Sequence, residues 1–174
     1  MVAQITRDFG GIRIDTANWP IVLMEFPENR VEDTHFHQAL GYIEHLMREA
    51  AANGEKSYQV TDITRIHEIA PATQRKYAAE FVKRNTALSQ QASFGTASVT
   101  PSSILRGIMT AIFWISPPPT PAVFFATRSE AYLHAIDVLE KGGTWLPPRL
   151  VELRARLQGG RSARAGKRPS VPPL

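Results

Sequence analysis

TDITRIHEIAPATQRKY, residues 61–77, joins an apolar run to a proline and a charged segment. It reads as a strand, a turn and a helix start. Ile63, Ile66 and Ile69 keep the first part apolar, so the spacing predicts a strand running to about Ile69. Pro71 suits the first turn of a helix, where a missing N–H costs nothing. In open α/β folds, ligands and chemistry gather at such strand-to-helix junctions.

Working outward, the flanks repeat the alternation. Gly11–Asn18 and Ile21–Phe26 read as strands around an Asn18-Trp19-Pro20 turn. IVLMEF is apolar almost throughout, as a strand covered on both faces must be. Asp33 or Thr34 is a cap for a helix to Ala52, with Phe36, Leu40, Ile43, Met47 and Ala50 forming one stripe. Ser57 opens the third strand. Pro71 to about Ser89 reads as one helix with Tyr77, Phe81 and Leu88 inward, and Ala78 and Val82 beside them. Its other side carries Arg75, Lys76, Glu80, Lys83 and Arg84.

Ala92–Val99 is a small-residue strand. Thr100-Pro101 starts a helix running to about Ile115, apolar nearly all round and including Ile108 and Ile112. Ala122–Ala126 is the last strand, and Thr127-Arg-Ser-Glu130 is a capping box for the next helix. The expected class is therefore α/β, with a single mixed, mostly parallel sheet of about five strands and about four helices packed on it. Residues 1–145 form the domain. A short basic amphipathic helix occupies 146–158, with Leu150, Leu153 and Leu157 in line. Residues 159–174 have the composition of a disordered basic tail.

Composition narrows the chemistry. The 174 residues are 43% hydrophobic and 21% charged and include no cysteine, which excludes disulfides, zinc–thiolate sites and thiol catalysis. The lack of an apolar leader and the absence of cysteine fit a cytoplasmic protein. The net charge of +4 is unevenly spread. Residues 1–148 hold thirteen Lys/Arg against fifteen Asp/Glu, a net of −2; residues 149–174 hold seven against one, a net of +6.

Catalytic and cofactor motifs are missing from the sequence. There is no Gly-rich phosphate loop, no G-x-S-x-G, no H-E-x-x-H and no S-x-x-K. His35 and His37 are two apart and point to different sides of a helix; His37 and His45 share a face but stand about two turns apart. No metal, cofactor or catalytic residue is assigned. An alternative is a small-ligand binder or enzyme around Asp62, His67 and Glu68.

The element order and the stretch Gln59–Ala72 resemble the STAS-like family, the fold of SpoIIAA-like anti-sigma-factor antagonists, over roughly residues 8–141. In that family the third strand ends in Asp-apolar-Ser, which Asp62-Ile63-Thr64 matches. Ala70-Pro71-Ala72-Thr73 falls where the family has Asp-Ser-Ser-Gly. The Ser phosphorylated by a partner kinase corresponds to Ala72, leaving Thr73 as the neighbouring hydroxyl. VFFATRSEAYLHAIDVL, residues 123–139, is similar to the family's closing segment. The resemblance implies a bacterial, non-enzymatic regulatory or scaffolding module that binds a protein partner and is not switched by the usual serine phosphorylation. The partner-binding candidates are Asp62, Arg75, Lys76, Lys83, Arg84, Ile108 and Ile112, with self-association into a homodimer as a second use of the apolar third helix. A third reading puts an anionic membrane or nucleic acid on residues 149–174.

Overall fold

In a computed structural model that describes residues 4–66, 68, 70–103, 106 and 117–165, with side chains to 159, alternating strands and helices build one mixed sheet. Among the described residues six strands lie in sequence order: β1 (Thr6–Phe9), β2 (Ile12–Asp15), β3 (Ile21–Glu25), β4 (Ser57–Asp62), β5 (Ser93–Val99) and β6 (Ala122–Phe125). β1–β2 and β2–β3 are antiparallel, and β3 through β6 run parallel. The expected mixed, mostly parallel α/β sheet is therefore present.

The extra strand is β1. Gly10 and Gly11 turn the chain with φ of 60° and 95°, the left-handed pair that a two-residue hairpin needs. Gly11 N–H donates to Asp8 Oδ1 at 2.9 Å. The glycine pair is the hairpin turn between β1 and β2.

Five helices are seen among the described residues: α1 (Asp33–Ala52), α2 (Ala72–Arg84), α3 (Thr86–Ala92), α4 (Arg128–Lys141) and α5 (Pro148–Ala165). They pack in two layers. β3 divides its side chains between them, as a doubly covered strand does. Val22 and Met24 join the core beneath α1, with Phe36, Ile43, Leu46 and Met47. Ile21 and Leu23 join the core beneath α4, with Tyr58, Val60, Ile136 and Leu139.

Five expectations change. The third strand stops at Asp62, not Ile69. The single helix over 71–89 breaks at Asn85, whose buried amide donates to the Phe81 carbonyl and to Glu44, each at 3.1 Å. Val82, on that helix, is 44% exposed and lies outside the core. The C-terminal helix extends past 158, so that residues 159–165 of the expected tail are helical. Its Leu150 is fully buried, and Leu153 and Leu157 pack against the α4 core. The α1 start also differs: Glu32 occupies the cap position without a side-chain bond, and Asp33 is the first helical residue.

The capping box of α4 is as expected: Glu130 N–H donates to Thr127 Oγ1 at 3.2 Å and Thr127 N–H to Glu130 Oε2 at 3.1 Å. The expected helix over 101–115, with Ile108 and Ile112, lies almost wholly outside the described residues. No helix among the described residues is long and apolar enough to cross a membrane.

Candidate docking site at the carboxyl edge of the sheet

The carboxyl ends of β3 and β4 are neighbours, tied by Phe26 N–H donating to the Asp62 carbonyl at 3.0 Å. Beyond them the chain opens into two loops, 26–32 leading to α1 and 63–71 leading to α2. Between the loops lies a cleft of about 480 Å³. Phe26, Val31, Phe36, Ile66 and Pro71 supply its apolar wall, and Arg30, Glu68 and Gln74 stand among them. Ile66 is 39% exposed, unusual for so large an aliphatic side chain.

Asp62 explains why the strand ends where it does. Its Oδ1 accepts from Thr64 N–H at 2.9 Å and from the Thr64 hydroxyl at 2.7 Å. This local bonding competes with the ladder and turns the backbone. Ile66 N–H then donates to the Ile63 carbonyl at 3.2 Å, closing the turn that lifts Ile66 to the rim of the cleft.

The other oxygen of Asp62 faces away from the cleft. Arg128, the first residue of α4, donates to it through Nε at 2.8 Å and also through Nη2. Nη2 further meets Glu25 Oε1 at 2.6 Å, and Arg13 stands 3.6 Å from Glu25. Asp62 is 5% exposed. Burial opposes its charge, but the Thr64 and Arg128 bonds outweigh burial and hold its pKa below the ordinary value. The guanidinium of Arg128 is likewise opposed by burial and stabilised by Asp62 and Glu25. Asp62 is thus spent inside the fold, clamping β3 and β4 to α4, and offers a partner nothing.

Gln74 fixes the floor of the cleft. It is 5% exposed, and its Nε2 donates to the Val31 carbonyl at 2.8 Å and to Asp33 Oδ1 at 2.9 Å. One side chain thereby fastens the start of α2 to the start of α1. Gln74 and then Thr73 hold the Asp33 carboxyl below its usual range. Pro71 caps α2 without a side-chain bond, and Asp33 meets the side chains of Thr73 and Gln74 in its first turn. Thr73, the phospho-acceptor candidate, is exposed but already faces that carboxylate.

The cations of α2 separate into two kinds. Arg84 lies over the Tyr77 and Phe81 rings, 5.3 Å from each centroid, and stands 3.6 Å from Glu44. It is occupied by the body of the protein. Arg75, Lys76 and Lys83 are exposed. Lys76 has Glu80 at 4.0 Å with both side chains largely in solvent, a pairing of little strength. His37 stacks on Tyr77 with centroids 3.6 Å apart, and His45 pairs with Glu49 at 3.7 Å. No cluster of three or more potential metal ligands occurs among the described residues.

Of the Asp62, His67, Glu68 grouping, Asp62 is engaged by Arg128 of α4 and Glu68 lines the cleft; His67 lies outside the described residues. Sequence reasoning missed Arg128 and Gln74. A buried strand-end carboxylate demands a cation, and Arg128 directly follows a recognisable cap, but nothing local joins positions 66 apart. Gln74 gave no signal, since an amide on a charged helix reads as solvent-facing.

Comparison with known proteins finds no matching family model, and no match among curated proteins or among solved structures.

Proposed function

We propose that this chain is a STAS-like, non-enzymatic interaction module with a regulatory or scaffolding role in the cytoplasm. It docks a segment of a partner protein that combines apolar and acidic side chains. The carrying observation is the apolar cleft of about 480 Å³ lying beside a helix whose Arg75, Lys76 and Lys83 are exposed. An apolar side chain of the partner fills the space between Phe26, Phe36 and Ile66. Its carboxylates meet the cations of α2, where opposite charge raises the association rate and fixes orientation.

Two further observations support the reading. Position 72 is Ala where the resembled family places its phosphorylated Ser. Thr73 sits against Asp33, so a phosphate there meets like charge. Docking therefore runs without the usual serine switch. A second reading, a small-molecule binder in the same cleft, draws on its volume, which falls within the range of ligand pockets.

Affinity purification from the native host tests the proposal with three proteins: the unaltered chain, Arg75→Glu/Lys76→Glu, and Ile66→Glu. A partner held by the first and lost from both variants supports it. Equal recovery by all three contradicts it.

A further inference from the structure

We infer that the corner carrying Trp145, together with helix α5, is a second docking surface, and that its occupant is an anionic lipid bilayer. Trp145 is 75% exposed, the most exposed of the large apolar side chains described. An indole left in water forgoes a large burial, and its ring with one polar N–H suits the headgroup level of a membrane.

The corner is held in place on both sides. Gly142 N–H donates to the Val138 carbonyl at 2.9 Å and Thr144 N–H to the Leu139 carbonyl at 3.0 Å, closing α4. Gly143 takes a φ of 77°, so the chain reverses there. Leu146 packs into the α4 core while Trp145 beside it points outward. Leu150 N–H donates to the Pro147 carbonyl at 2.8 Å, and Arg149 donates to the Ala17 carbonyl. Val151, in the first turn of α5, is 53% exposed. A projecting indole and an exposed aliphatic side chain thus stand at one end of a basic helix.

Charge complementarity selects the partner. Arg149 is engaged with Ala17, and Arg154 is bidentate to Glu140 at 3.2 and 3.1 Å. Arg156, beyond them, is exposed, and by sequence residues 155–174 hold five Lys/Arg and no Asp/Glu. Each cation brought near an anionic leaflet raises affinity by roughly fivefold at moderate salt. The apolar stripe of α5 is already buried at Leu150, so the helix does not sink into lipid. It presents charge while Trp145 and Val151 insert. Nucleic acid would use the charge and the indole but has no use for Val151, which cannot stack on bases.

Flotation of the full-length chain with vesicles tests this. Phosphatidylcholine vesicles containing phosphatidylserine are compared with phosphatidylcholine alone, and a short DNA duplex and a single-stranded RNA serve as rival ligands. The expected result is flotation with the anionic vesicles only, released by salt that screens charge over a few ångströms. Trp145→Ala should cut the bound fraction at least about threefold without altering the unfolding midpoint, because an exposed side chain supports little of the fold. Arg156→Glu should weaken binding similarly. Absence of flotation, flotation indifferent to Trp145, or tighter binding of either nucleic acid at the same salt overturns the inference.

Discussion

Asp62 and Arg128 concentrate the electrostatics of the fold into one pair of residues. Removing the guanidinium leaves a buried carboxylate with only its Thr64 bonds. Arg128→Ala should destabilise the fold by about 1–3 kcal/mol, the range for stranding a buried acceptor, as read from urea unfolding. Because Arg128 is partly exposed, the upper end is the ceiling. The pH dependence follows from the lowered pKa of Asp62. A depressed carboxylate contributes stability that is fully present above the unfolded value of about 3.9 and is lost as pH falls through the folded value below it. Asp62→Asn should therefore flatten the acid limb of the stability curve below about pH 4. A limb unchanged in the variant contradicts the clamp. At this scale the sequence pointed to Asp62 as important but not to its purpose, because its partner comes from the far side of the sheet.

At the scale of elements, local signals are legible in the sequence and long-range ones are not. The capping box at Thr127 and the buried stripe of α1 are written in consecutive residues, and both are present. The break at Asn85 was not legible, since it depends on Glu44 reaching across from α1. Nor was the end of β4, where three isoleucines suggested a strand continuing past the Asp62 turn. The C-terminal helix was legible in its stripe but not in its extent. That helix belongs to the folded unit: Leu150 is fully buried. Leu150→Ala should cost about 2–5 kcal/mol, the usual range for such a truncation in a core. A thermal melt within a degree of the unaltered chain would show instead that α5 is an appendage. Thr127→Ala, removing the α4 cap, should cost about 1 kcal/mol by the same measurement.

For the whole molecule, the distribution of charge matters more than its sum. Residues 1–148 carry a net of −2, yet α2 alone holds four Lys/Arg against one Glu. The remainder of that body is therefore at −5, and the basic helix stands out on an acidic body. The cleft lies at the N-terminal end of this helix, at the carboxyl edge where open α/β sheets place their ligands. The sequence contained the basic face and the junction, but the cleft itself arises only when loops 26–32 and 63–71 are brought side by side by parallel pairing of β3 and β4. Selection of random displayed peptides on the immobilised chain separates docking of an apolar, acidic segment from other uses of the cleft. The expected enriched sequences join aliphatic or aromatic residues to Asp or Glu, and their binding is lost on Arg75→Glu/Lys76→Glu. Enriched peptides without acidic residues, or binding that survives the reversal, would contradict it.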